Sequence, residues 1–143
     1  MKYILVSACL LGIRCKYDGG HNLDHRVASL VQDPEICLIP VCPEQLGGLL
    51  TPRAPSECSG NKVFQGTGAD VTDAFEKGAE EALKIARLFG CDIAILKARS
   101  PSCGFGQIYD GTFTRTLTNG MGKTAEKLAQ SGLRILNEKT FDL

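Results

Sequence analysis

The sequence has no excess charge of either sign, because 16 Lys and Arg residues balance 16 Asp and Glu residues. It therefore lacks the broad positive field on which nonspecific binding to nucleic acids or anionic membranes depends, and we expect no strong nucleic-acid binding. Hydrophobic residues at 43% and charged residues at 22% are ordinary globular values, which argue against disorder. The length of 143 residues predicts a single domain over residues 1–143.

The sequence also lacks a hydrophobic run long enough to cross a membrane. The nearest candidate, Ile4–Ile13, falls well short of the roughly 18 apolar residues that a transmembrane helix needs. Charged residues follow it where a signal peptide would have small residues at a cleavage site, so we interpret it as a buried strand that enters a loop. The expected location is the cytoplasm, where thiols stay reduced, and no membrane partner is expected.

Cysteine, by contrast, is plentiful, with seven residues that cannot all pair with one another. No two are spaced C-x-x-C, so zinc-ribbon and thioredoxin-type sites lack their local signature. Any shared thiol site must be assembled by the fold. A thiol hydrolase that uses His21 or His25, the only two histidines, stays open as an alternative but has no recognisable nucleophile elbow.

Hydrophobic patterning predicts alternating strands and helices. Short apolar runs of the kind found in strands covered on both faces lie at Lys2–Ser7, Ile36–Val41, Asp92–Lys97 and Leu133–Leu136. Apolar residues at three- and four-residue steps predict a helix over Thr72–Phe89, which Gly90 ends. Weaker helical patterns cover Leu23–Val31 and Gly122–Gln130. The alternation predicts an α/β domain: a mostly parallel, twisted sheet flanked by helices in a Rossmann-like, three-layer arrangement.

Three cysteines follow three of the predicted strands. Cys9, Cys42 and Cys103 would emerge at the carboxyl edge of a parallel sheet, where such folds bind ligands. Soft thiolates that converge from distant positions suit an iron-sulfur cluster or another thiolate-rich metal site. The alternative is that each is a small buried hydrophobic residue.

The other four cysteines divide differently. Cys37 and Cys91 lie at the opposite end of their strands, so we interpret them as structural. Cys58, in a segment rich in Pro, Gly and Ser, is interpreted as a surface or loop-packing residue. Cys15 is near the same edge as Cys9 and could be a fourth ligand or a thiol packed beneath the loop.

Polar residues accompany the three cysteines along the sequence. Glu44 follows Cys42 by two residues, and Ser100 precedes Cys103 by three, each beside a proline that fixes the local backbone. A carboxylate next to a metal can act as a general base. Three further charged residues are placed to reach the same pocket, although each could equally be a surface charge or part of an ion pair: Lys97, Arg53 and Asp18.

The same segments resemble a known family. The residues that carry the resemblance are Ser7–Gly12, Cys15–Gly19, Cys42–Glu44, Gly47–Leu49, Thr51–Pro55, Lys97, Ser100–Gly104 and Ile108–Phe113. In this order they are similar to the short bacterial proteins long labelled as a domain of unknown function, whose characterised members are thiouracil desulfurases. The likeness extends over nearly the whole chain.

The resemblance implies a 4Fe-4S cluster held by Cys9, Cys42 and Cys103, an acid/base Glu44, and an assisting Ser100, for which Ser102 is the alternative hydroxyl. It implies non-redox desulfuration of a small thiolated base or nucleoside such as 2-thiouracil to the oxo base, with release of sulfide. Ser102, Lys97, Arg53 and Asp18 are then the expected substrate-binding residues. The alternative is a metal-binding or redox-sensing thiolate module without catalysis.

Overall fold

The computed structural model describes residues 1–143. Its regular elements, in chain order, are β1 (Lys2–Ser7), α1 (His25–Ala28), β2 (Ile36–Val41), α2 (Pro43–Leu46), β3 (Ser56–Ser59), β4 (Lys62–Gln65), α3 (Thr72–Phe89), β5 (Ile93–Leu96), β6 (Phe105–Tyr109), β7 (Leu117–Met121), α4 (Lys123–Gln130) and β8 (Arg134–Asn137). Short 3-10 turns follow β1 and α1. None of the helices combines the length and apolar character of a membrane span.

The central sheet has four strands in the order β2-β1-β5-β8, and every neighbouring pair is parallel. This confirms the predicted α/β class and its mostly parallel sheet. The chain passes from β1 to β2 on one side and later returns to β5 on the other, so the direction of winding reverses at β1. In sheets of this kind, the carboxyl ends of the strands at such a reversal form a crevice.

The interior strand β1 is covered on both of its faces. Its residues Ile4, Leu5 and Val6 are fully buried. Because alternate side chains of a strand point to opposite faces, Leu5 packs in one apolar cluster, whereas Ile4 and Val6 pack in another. The apolar run at the start of the sequence therefore forms a buried central strand, as predicted.

Helix α3 has the predicted bounds and packs its apolar face on the sheet. Ala82, Leu83 and Ala86 are buried, and the left-handed Gly90 ends the helix as predicted. At its start, Asp70 accepts hydrogen bonds from both the backbone N and the hydroxyl of Thr72. The weak helical pattern at residues 23–31 corresponds to less regular structure: α1 covers four residues and a 3-10 turn follows it.

Two antiparallel hairpins, β3–β4 and β6–β7, occupy the segments in which long loops were expected. Their strands are short and rich in polar residues and glycine, so they lack the apolar pattern of the central strands. The hairpins and α3 enclose a third apolar cluster that contains Cys58. Cys58 is therefore buried packing and not a surface residue.

Helix α2 lies directly on α3, with two glycines at the contact. A side chain at Gly47 would overlap the carbonyl oxygen of Ala74, and one at Gly78 would overlap that of Pro43. Both obstacles are backbone atoms, which cannot move aside as a flexible side chain can. The two glycines therefore set the position of α2, which begins directly after Cys42 and carries Glu44.

Candidate active site

A cavity of about 560 Å³ opens at the carboxyl edge of the central sheet. Its wall includes residues that follow β1, β2 and β5, the three adjacent strands at the reversal of winding. Cys9, Cys42 and Cys103 all line it, as does Cys15. The structure therefore brings together the three cysteines that the sequence analysis selected.

The thiols in the cavity are held by polar neighbours and influence one another. Asn22 donates a hydrogen bond from Nδ2 to Cys9 Sγ at 3.4 Å, and the thiol of Cys42 lies 3.6 Å from the carbonyl oxygen of Cys15. Burial raises the pKa of Cys9, to which a charge on Cys42 contributes. Burial likewise raises the pKa of Cys103 to about 12, with a charge on Cys9 among the smaller causes.

Cys15 and Cys42 form a coupled pair of thiols. When Cys42 is ionised it accepts a hydrogen bond from the Cys15 thiol, which lowers the pKa of Cys42 to about 6 and raises that of Cys15. Cys15 is thus packed against a proposed ligand, beneath the loop that contains it, and it is itself buried. Both interpretations of Cys15, a fourth ligand or a packed thiol, remain compatible with this position.

The donor set fits an iron-sulfur cluster. Each cysteine that holds a 4Fe-4S cluster binds a different iron, so the cysteines need not meet around a single point. No three His, Cys, Asp or Glu side chains in the structure could hold a single metal ion. Three thiols that line one cavity without converging on one atom therefore match the soft, polynuclear group that the resemblance implies.

Glu44 lies at the centre of the polar part of the site. Its Oε1 accepts a hydrogen bond from Arg53 Nε at 3.0 Å, and its Oε2 accepts one from Ser102 Oγ at 2.9 Å. The side chains of Glu44 and Arg53 are only 14% and 4% exposed. Arg53 is therefore part of a buried ion pair in the site and not a surface charge.

The guanidinium of Arg53 also joins two loops at the cavity, its own loop between α2 and β3 and the loop that contains Cys15. It donates to the carbonyl oxygen of Cys15 at 2.8 Å, to the hydroxyl of Thr51 at 2.8 Å and to the carbonyl oxygen of Leu50 at 3.2 Å. Five N–H donors in a rigid planar group suit this task, which a lysine could not perform. Arg53 therefore fixes the carboxylate of Glu44 relative to the loop that contains Cys15.

Ser100 and Ser102 form a directed chain of hydrogen bonds that ends on Glu44. Ser100 Oγ accepts from the backbone N of Ser102 and of Cys103, and it lies 3.0 Å from Ser102 Oγ. Because the one hydroxyl proton of Ser102 is donated to Glu44, Ser100 must donate to Ser102. Ser102 contacts the carboxylate directly, and Ser100 supports it from the loop after β5.

Lys97 also lines the cavity, and a residue that the sequence analysis missed holds it there. Lys97 Nζ lies 3.0 Å from Glu138 Oε2, while Glu138 Oε1 accepts a hydrogen bond from the backbone N of Ala98 at 2.8 Å. Glu138 is only 9% exposed and follows β8, the parallel neighbour of β5. The rule that selected the three cysteines, a position just past a parallel strand, would also have found it.

Three residues considered from the sequence do not line the cavity: Asp18, His21 and His25. The carboxylate of Asp18 instead accepts a hydrogen bond from the backbone N of Gly20 within its own turn. His21 accepts one from the backbone N of Leu23. The structure therefore supplies no histidine next to a cavity thiol for the hydrolase alternative.

The wall of the cavity is rich in cations although the chain carries no net charge. Only two carboxylates line it, Glu44 and Glu57, against the cationic residues Lys16, Arg53, Lys97, Arg99, Arg115 and Lys139. Arg53 and Lys97 are paired with Glu44 and Glu138, whereas Arg99, Arg115 and Lys139 take part in no ion pair. The cavity therefore presents a local positive field in an otherwise balanced protein.

Comparisons with known proteins agree with this geometry. A family model described as 2-thiouracil desulfurase matches residues 4–140. A protein of Bacillus subtilis (strain 168), YbbK, described as uncharacterized, is 40% identical over 149 residues, which cover 97% of each chain. A solved structure described as a 4Fe-4S-dependent thiouracil desulfidase, TudS (DUF523Vcz), is also 40% identical, with a TM-score of 0.90 over 97% of this chain and 92% of that one.

Proposed function

The chain belongs to the 2-thiouracil desulfurase family, and from that premise we propose that it removes sulfur from a thiolated pyrimidine such as 2-thiouracil. The products are the oxo base and sulfide, with no net transfer of electrons. The observation that carries the proposal is the placement of Cys9, Cys42 and Cys103 in one cavity with the hydrogen-bonded carboxylate of Glu44. The similar solved structure, described as 4Fe-4S-dependent, supports the same assignment.

We assign Cys9, Cys42 and Cys103 as the residues that hold a 4Fe-4S cluster. When bound through three cysteines, the cluster supplies an iron with an open coordination position, a Lewis acid suited to a soft thiocarbonyl sulfur. Asn22, which contacts the Cys9 thiol, and Cys15, which contacts Cys42, are the neighbours that orient these ligands. Such contacts to ligand atoms commonly change metal affinity by about 10- to 100-fold when they are lost.

Glu44 is the residue we assign to the movement of the proton. Its carboxylate can take a proton from a water molecule that attacks the thiocarbonyl carbon, and a positioned base of this kind contributes about 10²- to 10⁴-fold in rate. Arg53 and Ser102 each bind one of its oxygens, which fixes the carboxylate in the cavity wall. The buried position of the pair keeps most other hydrogen-bond donors away from the same oxygens.

Ser100 and Ser102 have distinct tasks in this proposal. Ser102 donates to Glu44 and can pass its proton along the chain that Ser100 completes. Since the oxygen of Ser100 already accepts two backbone N–H groups, Ser100 orients the loop that carries Cys103. Ser102 is accordingly the hydroxyl that contacts Glu44, and Ser100 orients the hydroxyl of Ser102.

The size and charge of the cavity support a small substrate with negative character. A volume of about 560 Å³ lies in the range of small-molecule sites. The unpaired cations Arg99, Arg115 and Lys139 favour a deprotonated or anionic form of the substrate. A thiolated pyrimidine or its nucleoside meets both requirements, because the ring N–H beside a thiocarbonyl group is acidic.

Anaerobic reconstitution with iron and sulfide tests the proposal. The loaded wild-type protein should convert 2-thiouracil to uracil with release of one sulfide per base, measured by chromatography and sulfide assay. Glu44→Gln keeps the shape of the side chain and one acceptor oxygen for Arg53, but it replaces the other oxygen by an NH2 donor and cannot take up a proton. This variant should retain iron and acid-labile sulfide but lose about 10²- to 10⁴-fold in kcat. Loaded protein that yields no oxo base and no sulfide from any thiolated pyrimidine would overturn it.

The same experiment separates the enzyme from the non-catalytic thiolate module. The module predicts that Glu44→Gln and Ser100→Ala leave every measurable property of the loaded protein unchanged. Asp73→Asn provides a control carboxylate, since this residue lies on α3 away from the cavity. A loss of rate in Glu44→Gln but not in Asp73→Asn, at equal iron content, assigns the effect to the site.

A further inference from the structure

Backbone conformations that disfavour ordinary side chains are concentrated at the cavity. Three non-glycine residues in the chain have a positive φ: Arg99 at 68°, Phe113 at 58° and Arg115 at 60°. All three line the cavity. Such conformations cost of order 1–3 kcal/mol each and persist where the surrounding structure imposes them. Two of the three, Phe113 and Arg115, belong to one loop, residues 110–116, which joins β6 to β7.

The carboxylate of Glu57 holds this loop in place. Glu57 Oε1 accepts hydrogen bonds from the backbone N of Gly111 at 2.9 Å and of Phe113 at 3.2 Å. A side chain at Gly111 would lie 2.7 Å from the carbonyl oxygen of Cys58, so the loop also packs tightly on β3. Since Glu57 itself lines the cavity, the conformation of the loop is fixed from the side that a ligand would occupy.

The side chain of Phe113 is partly open to solvent. It is 40% exposed, and it passes Gly66, where an added Cβ would lie 3.6 Å from the ring. The loop adopts a strained conformation in which Phe113 forms part of the wall of a cavity rich in cations.

We propose that Phe113 is the surface on which the pyrimidine ring of the substrate packs, and that Glu57 is a positioning residue that holds Phe113 there. This inference rests on the proposed function for the identity of the ring. Aromatic faces bind nucleobases without regard to their substituents, so Phe113 recognises the ring while the cysteine side of the cavity handles the sulfur. Tyr17 and Tyr109 also line the cavity but lie outside the restrained loop.

Binding of 2-thiouracil and of uracil to the cluster-loaded protein, measured by calorimetry, tests this assignment. Phe113→Asn removes the ring and keeps a residue that tolerates the left-handed conformation. It should weaken both ligands about tenfold, as expected for loss of one base–aromatic contact. The separate variant Phe113→Tyr, which keeps an aromatic ring, should bind both ligands within about twofold of the wild type. Thr114→Ala, in the same loop but outside the cavity wall, is the matched control.

Turnover gives a second readout that a merely structural defect would not reproduce. In Phe113→Asn, KM for 2-thiouracil should rise about tenfold while kcat and iron content stay within about twofold, since the lost contact is the same in substrate and transition state. Unchanged binding in Phe113→Asn, or a larger loss in Tyr17→Leu, would overturn the proposal. Because uracil binding requires no reaction, a wild-type protein that binds uracil but does not desulfurate refutes the function and leaves this inference standing.

The role of Glu57 is tested through the same ligands. Glu57→Ala leaves two backbone N–H groups unpaired and should weaken uracil binding about three- to tenfold. Glu57→Gln retains an oxygen acceptor and should restore it. If Glu57 acts only through Phe113, the double variant Glu57→Ala/Phe113→Asn should be no weaker than Phe113→Asn alone. Fully additive losses would contradict a positioning role.

Discussion

The carboxyl and amino edges of the central sheet both contain cysteines, in different surroundings. At the carboxyl edge, Cys103 is 5% exposed and lines a cavity beside a serine and a carboxylate. Near the amino edge, Cys91 is 6% exposed and belongs to an apolar cluster between the sheet and α3. Cys103 is part of the same cluster, but only Cys103 also lines the cavity. Burial is therefore equal in the two cases and does not distinguish a ligand from a packing residue.

What differs is the position of each thiol relative to the end of its strand. A residue just past a parallel strand belongs to a turn at the edge where the other strands also end. A residue at the start of a strand, such as Cys91, is instead covered by the helices on the faces of the sheet. The position of a cysteine in the sheet topology, and not its residue type or exposure, therefore separates the thiols that line the cavity from those that only pack.

Replacement of one cysteine by serine at each edge should give the largest difference, which is a difference in bound iron. Cys103→Ser should reduce bound iron and acid-labile sulfide to below about one tenth of the wild type, with at least a 100-fold loss of desulfuration, because serine is a poor ligand for iron in a cluster. Cys91→Ser should keep its iron and lose only about 1–2 kcal/mol of stability, since it buries a hydroxyl in an apolar cluster. Equal loss of iron in both variants would refute the distinction between the edges.

A buried ion pair at the carboxyl edge and an exposed ion pair on α3 should contribute differently to stability. Glu138→Ala removes the acceptor of the Ala98 N–H and the partner of Lys97, and it should lower the free energy of unfolding by about 2 kcal/mol. Glu81→Ala breaks an exposed pair with Lys84 on α3 and should change it by less than about 0.5 kcal/mol. Urea unfolding measures both variants, and a similar small change in each would show that the carboxyl edge contributes little to stability.

The effect that appears only at high pH concerns Cys58, a buried thiol outside the central sheet. Burial raises the pKa of Cys58 from 9.0 to about 11. Because the unfolded thiol ionises first, its contribution to stability is complete below pH 9 and is lost as the pH rises toward 11. The difference in free energy of unfolding between the wild type and Cys58→Ala should therefore shrink over this interval. Urea unfolding at pH 8, 9, 10 and 11 measures this difference. If the difference between the wild type and Cys58→Ala does not change with pH, the pKa of Cys58 is not raised in the folded protein.

The central sheet and the position of its three edge cysteines could be predicted because they depend only on the order of strands and helices along the chain. Apolar runs identify strands, helical patterns between them predict parallel pairing, and parallel pairing sends Cys9, Cys42 and Cys103 to one edge. No side-chain conformation enters the argument. Glu138 was within reach of the same reasoning, since it follows β8, but a single charged residue near the end of the chain gave no separate signal.

The hairpins and the pairing of Glu44 with Arg53 could not be predicted in this way. The strands β6 and β7 read FGQIY and LTNGM, without the alternation that marks a half-buried strand. Their link to the rest of the protein is tertiary, because Ile108 belongs to the same apolar cluster as Phe75 of α3. Arg53 reaches Glu44 through the path of the loop between α2 and β3. Such paths depend on tertiary contacts that the local sequence does not contain.

The contact between Gly47 and Gly78 has a consequence for how this protein can vary. Since each glycine faces the main chain of the other helix, a larger residue at one position cannot be accommodated by a smaller one at its partner, which is already the smallest. The two sites are therefore independent constraints on evolution and on redesign, and neither offers a compensating substitution. Attempts to move the carboxylate of Glu44 by shifting α2 would have to begin with the 18-residue helix beneath it.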